Sequence, residues 1–124
     1  MNLAKSCLML LSLVAFTAHA ADTKILEARY QKSISTPQGK EYEMKAVQAF
    51  WGDASFMREC APPNTPIAES LTIYFEVKPE GAMGQIVISP DTKVANCIVR
   101  NVKNRSFPNP PKDYVVKIDL KFTE

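Results

Sequence analysis

The clearest pattern in the chain lies between Ser70 and Lys78. There "SLTIYFEVK" alternates Leu71, Ile73, Phe75 and Val77 with Ser70, Thr72, Tyr74, Glu76 and Lys78. A period of two sends alternate side chains to opposite faces, so this segment predicts a strand with one apolar face. Pro79-Glu80-Gly81 supplies a turn, and "GQIVIS" from Gly84 to Ser89 returns as a second strand, giving a hairpin. A third alternating segment comes near the end. Tyr114, Val116, Ile118, Leu120 and Phe122 fall on one side of it, and Asp113, Val115, Lys117, Asp119 and Lys121 on the other.

Helical spacing fills two other regions. From Gly39 onward Met44, Val47, Phe50 or Trp51, Ala54, Met57 and Cys60 recur at threes and fours, the spacing of one helix face. Gly52-Asp53 interrupts the run, so Asp53 is expected to cap a second short helix carrying Phe56, Met57 and Cys60. Pro62, Pro63 and Pro66 end it. Pro37-Gln-Gly39 reads as a turn. Residues Thr23 to Ile34 fit a short helix and a strand equally well. After the hairpin, Ser89-Pro90-Asp91-Thr92 reads as a helix start with Ser89 as cap and Pro90 in the first helical position. Val94, Cys97, Ile98 and Val102 form the inner face of that helix. Lys93, Asn96, Arg100 and Lys103 form its outer side.

Phe107-Pro108 stops this helix, because proline disfavours helical geometry in the residue before it. Phe107 is expected to plug the crossing back into the sheet, and Pro110-Pro111 to stiffen the connector. Together the segments predict an α+β fold: a small three-stranded antiparallel sheet with helices packed on one face, in the order helix, hairpin, helix, final strand.

The N-terminal residues change what chemistry is available. An apolar run from Cys7 to Phe16, followed by Ala18-His19-Ala20, has the form of a signal peptide with cleavage before Ala21. The run is short for a membrane span, so no stable membrane anchor is expected after cleavage. Residues 1–20 are read as the leader and 21–124 as one domain. Removing Cys7 and His19 leaves Cys60, Cys97 and no histidine. In an oxidising compartment the two cysteines most simply form one disulfide, two buried thiols being the alternative.

Without histidine neither a Ser-His-Asp nor a Cys-His arrangement can be built. No zinc-like Cys/His spacing and no glycine-rich phosphate loop is present. The carboxylate pairs Glu41/Glu43 and Asp53/Glu59 carry no pattern that separates them from solvated surface. A non-enzymatic protein with no cofactor and no metal is expected. Charge is uneven. Ala21 to Thr92 carries seven Lys/Arg and ten Asp/Glu, whereas Lys93 to Glu124 carries seven and three. Such a small basic excess on an exported chain points away from nucleic acid. It leaves Lys93, Arg100 and Lys103 as a basic face that could contact an anionic polymer.

With these residues in place, the second half resembles the C-terminal domain of TonB-type energy transducers. The matching pieces are "LTIYFEVKPEG", "GQIVIS", "VANCIVRNVKNRSFPNPP" and "YVVKIDLKF", about residues 69–123. Arg105 stands where that family commonly has tryptophan before the exit phenylalanine. The resemblance implies a periplasmic domain that receives an extended segment of an envelope or outer-membrane protein at a sheet edge. In strand addition, main-chain hydrogen bonds supply affinity and alternate side chains supply selectivity. The final strand is the expected edge, with Val115, Lys117, Asp119 and Lys121 as the partner-facing residues. Its charges either blunt the edge against aggregation or select a partner, and both can hold. A different class of function, an inhibitor or immunity-type protein that occludes an envelope enzyme, suits the same features.

Overall fold

The computed structural model describes residues 21–61 and 70–121. The expected leader (residues 1–20), the proline run from Pro62 to Pro66 and Phe122 lie outside the described residues. The elements in order are helix α1 (described over residues 21–33), α2 (Pro37–Trp51), α3 (Ser55–Cys60), β1 (Leu71–Val77), β2 (Met83–Ser89), α4 (Lys93–Val102) and β3 (Tyr114–Leu120). The strands form one antiparallel sheet in the order β2-β1-β3.

β1 is therefore the central strand, and it is buried on both sides. Leu71, Ile73, Phe75 and Val77 join Tyr114, Val116, Ile118 and Leu120 in the main core. Tyr42, Ala46, Phe50, Phe56, Ile98 and Val102 from α2, α3 and α4 cover this face. These three helices and the antiparallel sheet form the expected α+β arrangement. The segment left open between Thr23 and Ile34 folds as α1 and covers the opposite face. There Leu26 packs with Tyr74, Val87 and Val115 in a second, smaller cluster.

Three local expectations are corrected. Pro37-Gln-Gly39 is the first turn of α2, because the Thr36 hydroxyl accepts the Gly39 N–H (3.0 Å) and proline suits the first helical positions. The buried stripe of α2 is Tyr42, Ala46 and Phe50, whereas Met44 is 62% exposed. Apolar residues at 42, 44, 46, 47, 49, 50 and 51 offer several overlapping stripes, so periodicity cannot choose among them. The cap of α4 is Thr92, whose hydroxyl accepts the Ala95 N–H (3.1 Å), and Ser89 instead ends β2.

The crossing from α4 to β3 is built around Phe107. Its ring lies 5.0 Å from that of Phe75, centroid to centroid, and the residue is 5% exposed. Its N–H donates to the Gly81 carbonyl (2.9 Å). Gly81 has a φ of +90°, and a Cβ there would collide with the Phe107 carbonyl oxygen, so the hairpin turn requires glycine on two counts. Pro108 is exposed, but its carbonyl accepts the Tyr42 hydroxyl (2.8 Å), and Tyr42 stacks on Tyr114. Burial pushes the Tyr42 hydroxyl up to about 12.

Arg105 links the crossing to the end of α2. Its Nη1 donates to the Phe50 carbonyl (2.5 Å) and its Nη2 to the Asp53 carbonyl, while the guanidinium carbon sits 5.0 Å from the centre of the Phe56 ring. The guanidinium thus satisfies carbonyls left open at a helix end and covers aromatic surface at once. Cys60 and Cys97 are bonded, with S–S 2.07 Å and Cα–Cα 5.5 Å, tying α3 to α4.

Candidate functional site

A three-stranded sheet has two edges, and hydrogen-bond parity decides what each edge offers. The Val115 N–H donates to the Ser33 hydroxyl (3.2 Å), away from β1. In an extended strand successive amides alternate in direction, so the Lys117 and Asp119 amides also point away from β1. The Lys117 amide is directed to the Glu43 carboxyl of α2. Of the outward amides of the expected receptive edge, that of Val115 is therefore already engaged by α1, and that of Lys117 faces α2.

The side chains of this strand divide in the same way. Val115 is 1% exposed, packed under α1 with Leu26, Tyr74 and Val87. The Lys117 ammonium lies 3.2 Å from the Glu27 carboxylate and above the rings of Tyr30 and Tyr74. Glu27 also accepts the Tyr74 hydroxyl, and that hydrogen bond is the main reason its pKa falls below the usual carboxylate value. The structure thus places Val115 and Lys117 beneath a helix rather than on an open face. Asp119 and Lys121 remain exposed, and Asp119 accepts the Thr72 hydroxyl (2.8 Å). Tyr74 and Val115, apolar positions on otherwise polar strand faces, are the signal in the sequence for this second cover.

The same parity describes the other edge. Residues 71, 73, 75 and 77 of β1 exchange bonds with β3, which directs Thr72 and Tyr74 to their partners Ser89 and Val87 on β2. The amides of Ile86 and Ile88 then face away from β1. The start of this edge is taken: Ser106 bridges Ala82, and Phe107 donates to Gly81. A bulge follows, where the Gln85 N–H donates to the Glu76 carboxylate (2.9 Å). Beyond it, no described strand pairs with the outer side of β2 at Ile86 and Ile88.

Lys93, Arg100 and Lys103 are exposed along the outer side of α4 as expected, with no ion pair among the described residues. Among the described residues no three His, Cys, Asp or Glu side chains converge as a metal site would require. No described helix is long and apolar enough to cross a membrane.

Burial raises the Glu43 carboxyl from 4.5 to about 7, against the lowering effect of the Lys117 amide. A raised carboxyl costs stability as pH climbs from the unfolded value through the folded one. Glu27 and Glu76, both lowered, act with the opposite sign and only at more acid pH. Between pH 5 and 8 the domain should therefore lose stability, by on the order of 1–2 kcal/mol once partial exposure of Glu43 is discounted. Urea unfolding across that range measures it. Glu43→Gln should flatten the slope, and an unchanged slope would assign it to another group.

No family model, curated protein or solved structure matches the chain. Fold and edge geometry together describe a small α+β domain in which helices face the β3 edge of the sheet and no described strand lies beside the end of β2.

Proposed function

We propose that this is a non-enzymatic protein-binding module of TonB C-terminal-like organisation, working in the periplasm. Its partner is an extended segment of an envelope or outer-membrane protein, added as a strand beside β2. The supporting observation is the contrast between the two edges. The β3 amides at 115 and 117 are turned to Ser33 and Glu43, whereas those of Ile86 and Ile88 face outward with no described strand beside them. The short bridge from Ser106 to Ala82 already extends the sheet past β2 and supplies a stub on which a longer pairing could continue. A buried disulfide-linked pair of helices behind the sheet suits an oxidising compartment.

Proline substitution tests this directly, because it removes one outward donor without touching the internal ladder. A partner would first be captured from a periplasmic extract, and binding then compared by calorimetry for Ile86→Pro, Ile86→Ala and Lys117→Pro. Folded Ile86→Pro should lose binding, Ile86→Ala should weaken it modestly, and Lys117→Pro should retain it. Loss confined to Lys117→Pro would return the site to β3. Normal binding by folded Ile86→Pro would end the β2 assignment.

A second reading, an inhibitor or immunity-type protein, is favoured by one observation. Met44 and Trp51 are exposed large hydrophobics seven residues apart on α2, two turns along one side. Such side chains serve as anchors against a folded surface. Capture of a folded enzyme whose binding is abolished by Trp51→Ala would replace the strand-addition reading.

A further inference from the structure

A cleft of about 200 Å³ opens where the end of α1 meets the connector that leads into β3, lined by Arg29, Lys32, Ser33, Lys112 and Asp113. Its carboxylates are already engaged. Asp113 pairs with Lys78 (3.2 Å), and Glu76 behind it pairs with Arg29 (2.7 Å) and Lys78 (3.7 Å). Lys32 has no carboxylate partner among the described residues, and Lys112 lies only against the Tyr114 ring, 5.8 Å from its centre. With Arg29, Lys32, Lys78 and Lys112 set against Glu76 and Asp113, two positive charges are left unbalanced around one concave surface.

The negative end of α1 does not cancel them. The Arg29 carbonyl accepts the Ser33 hydroxyl (2.9 Å), the Tyr30 carbonyl the Ile34 N–H and the Lys32 carbonyl the Ser35 N–H. Ser33 spends its hydroxyl proton on Arg29 and its lone pair on Val115, so it forms wall rather than donor. The donors that remain are the two ammonium groups and the part of the Arg29 guanidinium not turned to Glu76.

We propose that this cleft binds a phosphate monoester. A doubly charged phosphate matches the unbalanced charge, and its several oxygens suit two ammonium groups and a guanidinium fork lining the same cleft. The proposal is independent of strand addition, since the cleft lies on the α1 side of β3 and not at β2. The phosphate could be carried by a soluble ester or by a lipid headgroup, and both present the same group.

Titration with glycerol 3-phosphate, followed by calorimetry and by amide chemical shifts, tests the site. Co-sedimentation with vesicles containing phosphatidic acid, against phosphatidylcholine alone, tests the lipid source. Saturable binding is expected, with shifts centred on Arg29, Lys32 and Lys112. Lys32→Gln combined with Lys112→Gln should weaken it about tenfold or more, as loss of two charge-assisted contacts implies. Asp113→Asn should tighten it. Lys93→Gln combined with Lys103→Gln, on the remote basic side of α4, should leave it unchanged. Binding of the ester alone assigns a soluble ligand, and binding that also holds the acidic vesicles assigns a headgroup. No saturable binding of either probe, or equal weakening by the α4 pair, overturns the proposal.

Discussion

Phe107→Ala should lower the free energy of unfolding by about 3–5 kcal/mol, the usual loss when a buried phenylalanine is truncated. The ring fills the end of the main core against Phe75, where α4, the hairpin turn and β3 meet. Its removal leaves a void that cannot close easily. The backbone around it is held by the Gly81 carbonyl on one side and by the Tyr42–Pro108 hydrogen bond on the other. The midpoint of chemical denaturation measures the effect. A midpoint close to that of the unaltered protein would mean that the crossing is supported by Arg105 and the prolines, not by the ring.

Replacing both Cys60 and Cys97 with alanine should cost up to roughly 4 kcal/mol, since the bond closes a long loop and limits the unfolded chain. The cysteines are separated by 37 positions, which sets that figure. The structure adds a reason for a local effect. α3 is six residues long, too short to persist without tertiary contacts, and the disulfide is its covalent link to α4. Urea unfolding of the double variant against the oxidised protein gives the loss, and non-reducing peptide mapping verifies the bond. Recovery of two free thiols from the native protein would remove the basis of the prediction.

Strand existence, the hairpin and the final strand were legible because alternation is a local property. β1 and β3 each carry it within seven residues, β2 was read from its short apolar run after the turn, and Gly81 marks that turn with a conformation other residues resist. Phe107 and the cysteine pair were legible for a similar reason. A phenylalanine before proline at a helix exit, and two cysteines on inward-facing helix positions, announce burial by chemistry and place alone. Arg105 was not. A charged residue at that position gives no local sign that its guanidinium will reach carbonyls 55 and 52 residues away.

What the sequence determined by itself is therefore the α+β class, the hairpin–helix–strand order and the face that β1 and β3 turn to the main core. These depend on period, turn chemistry and proline geometry, all read within a few residues. Tertiary structure alone decided which stripe of α2 is buried, that α1 is a helix lying across the second face, and which sheet edge the helices face. The last of these is why the proposed strand addition is set at β2 and not at β3. Val115 and Lys117 look outward in any reading of β3 alone, and become covered because Leu26, Glu27 and Ser33 of α1 find them from 82 to 90 residues away. Edge availability is a property of what packs beside a strand, and no pattern within the strand records it.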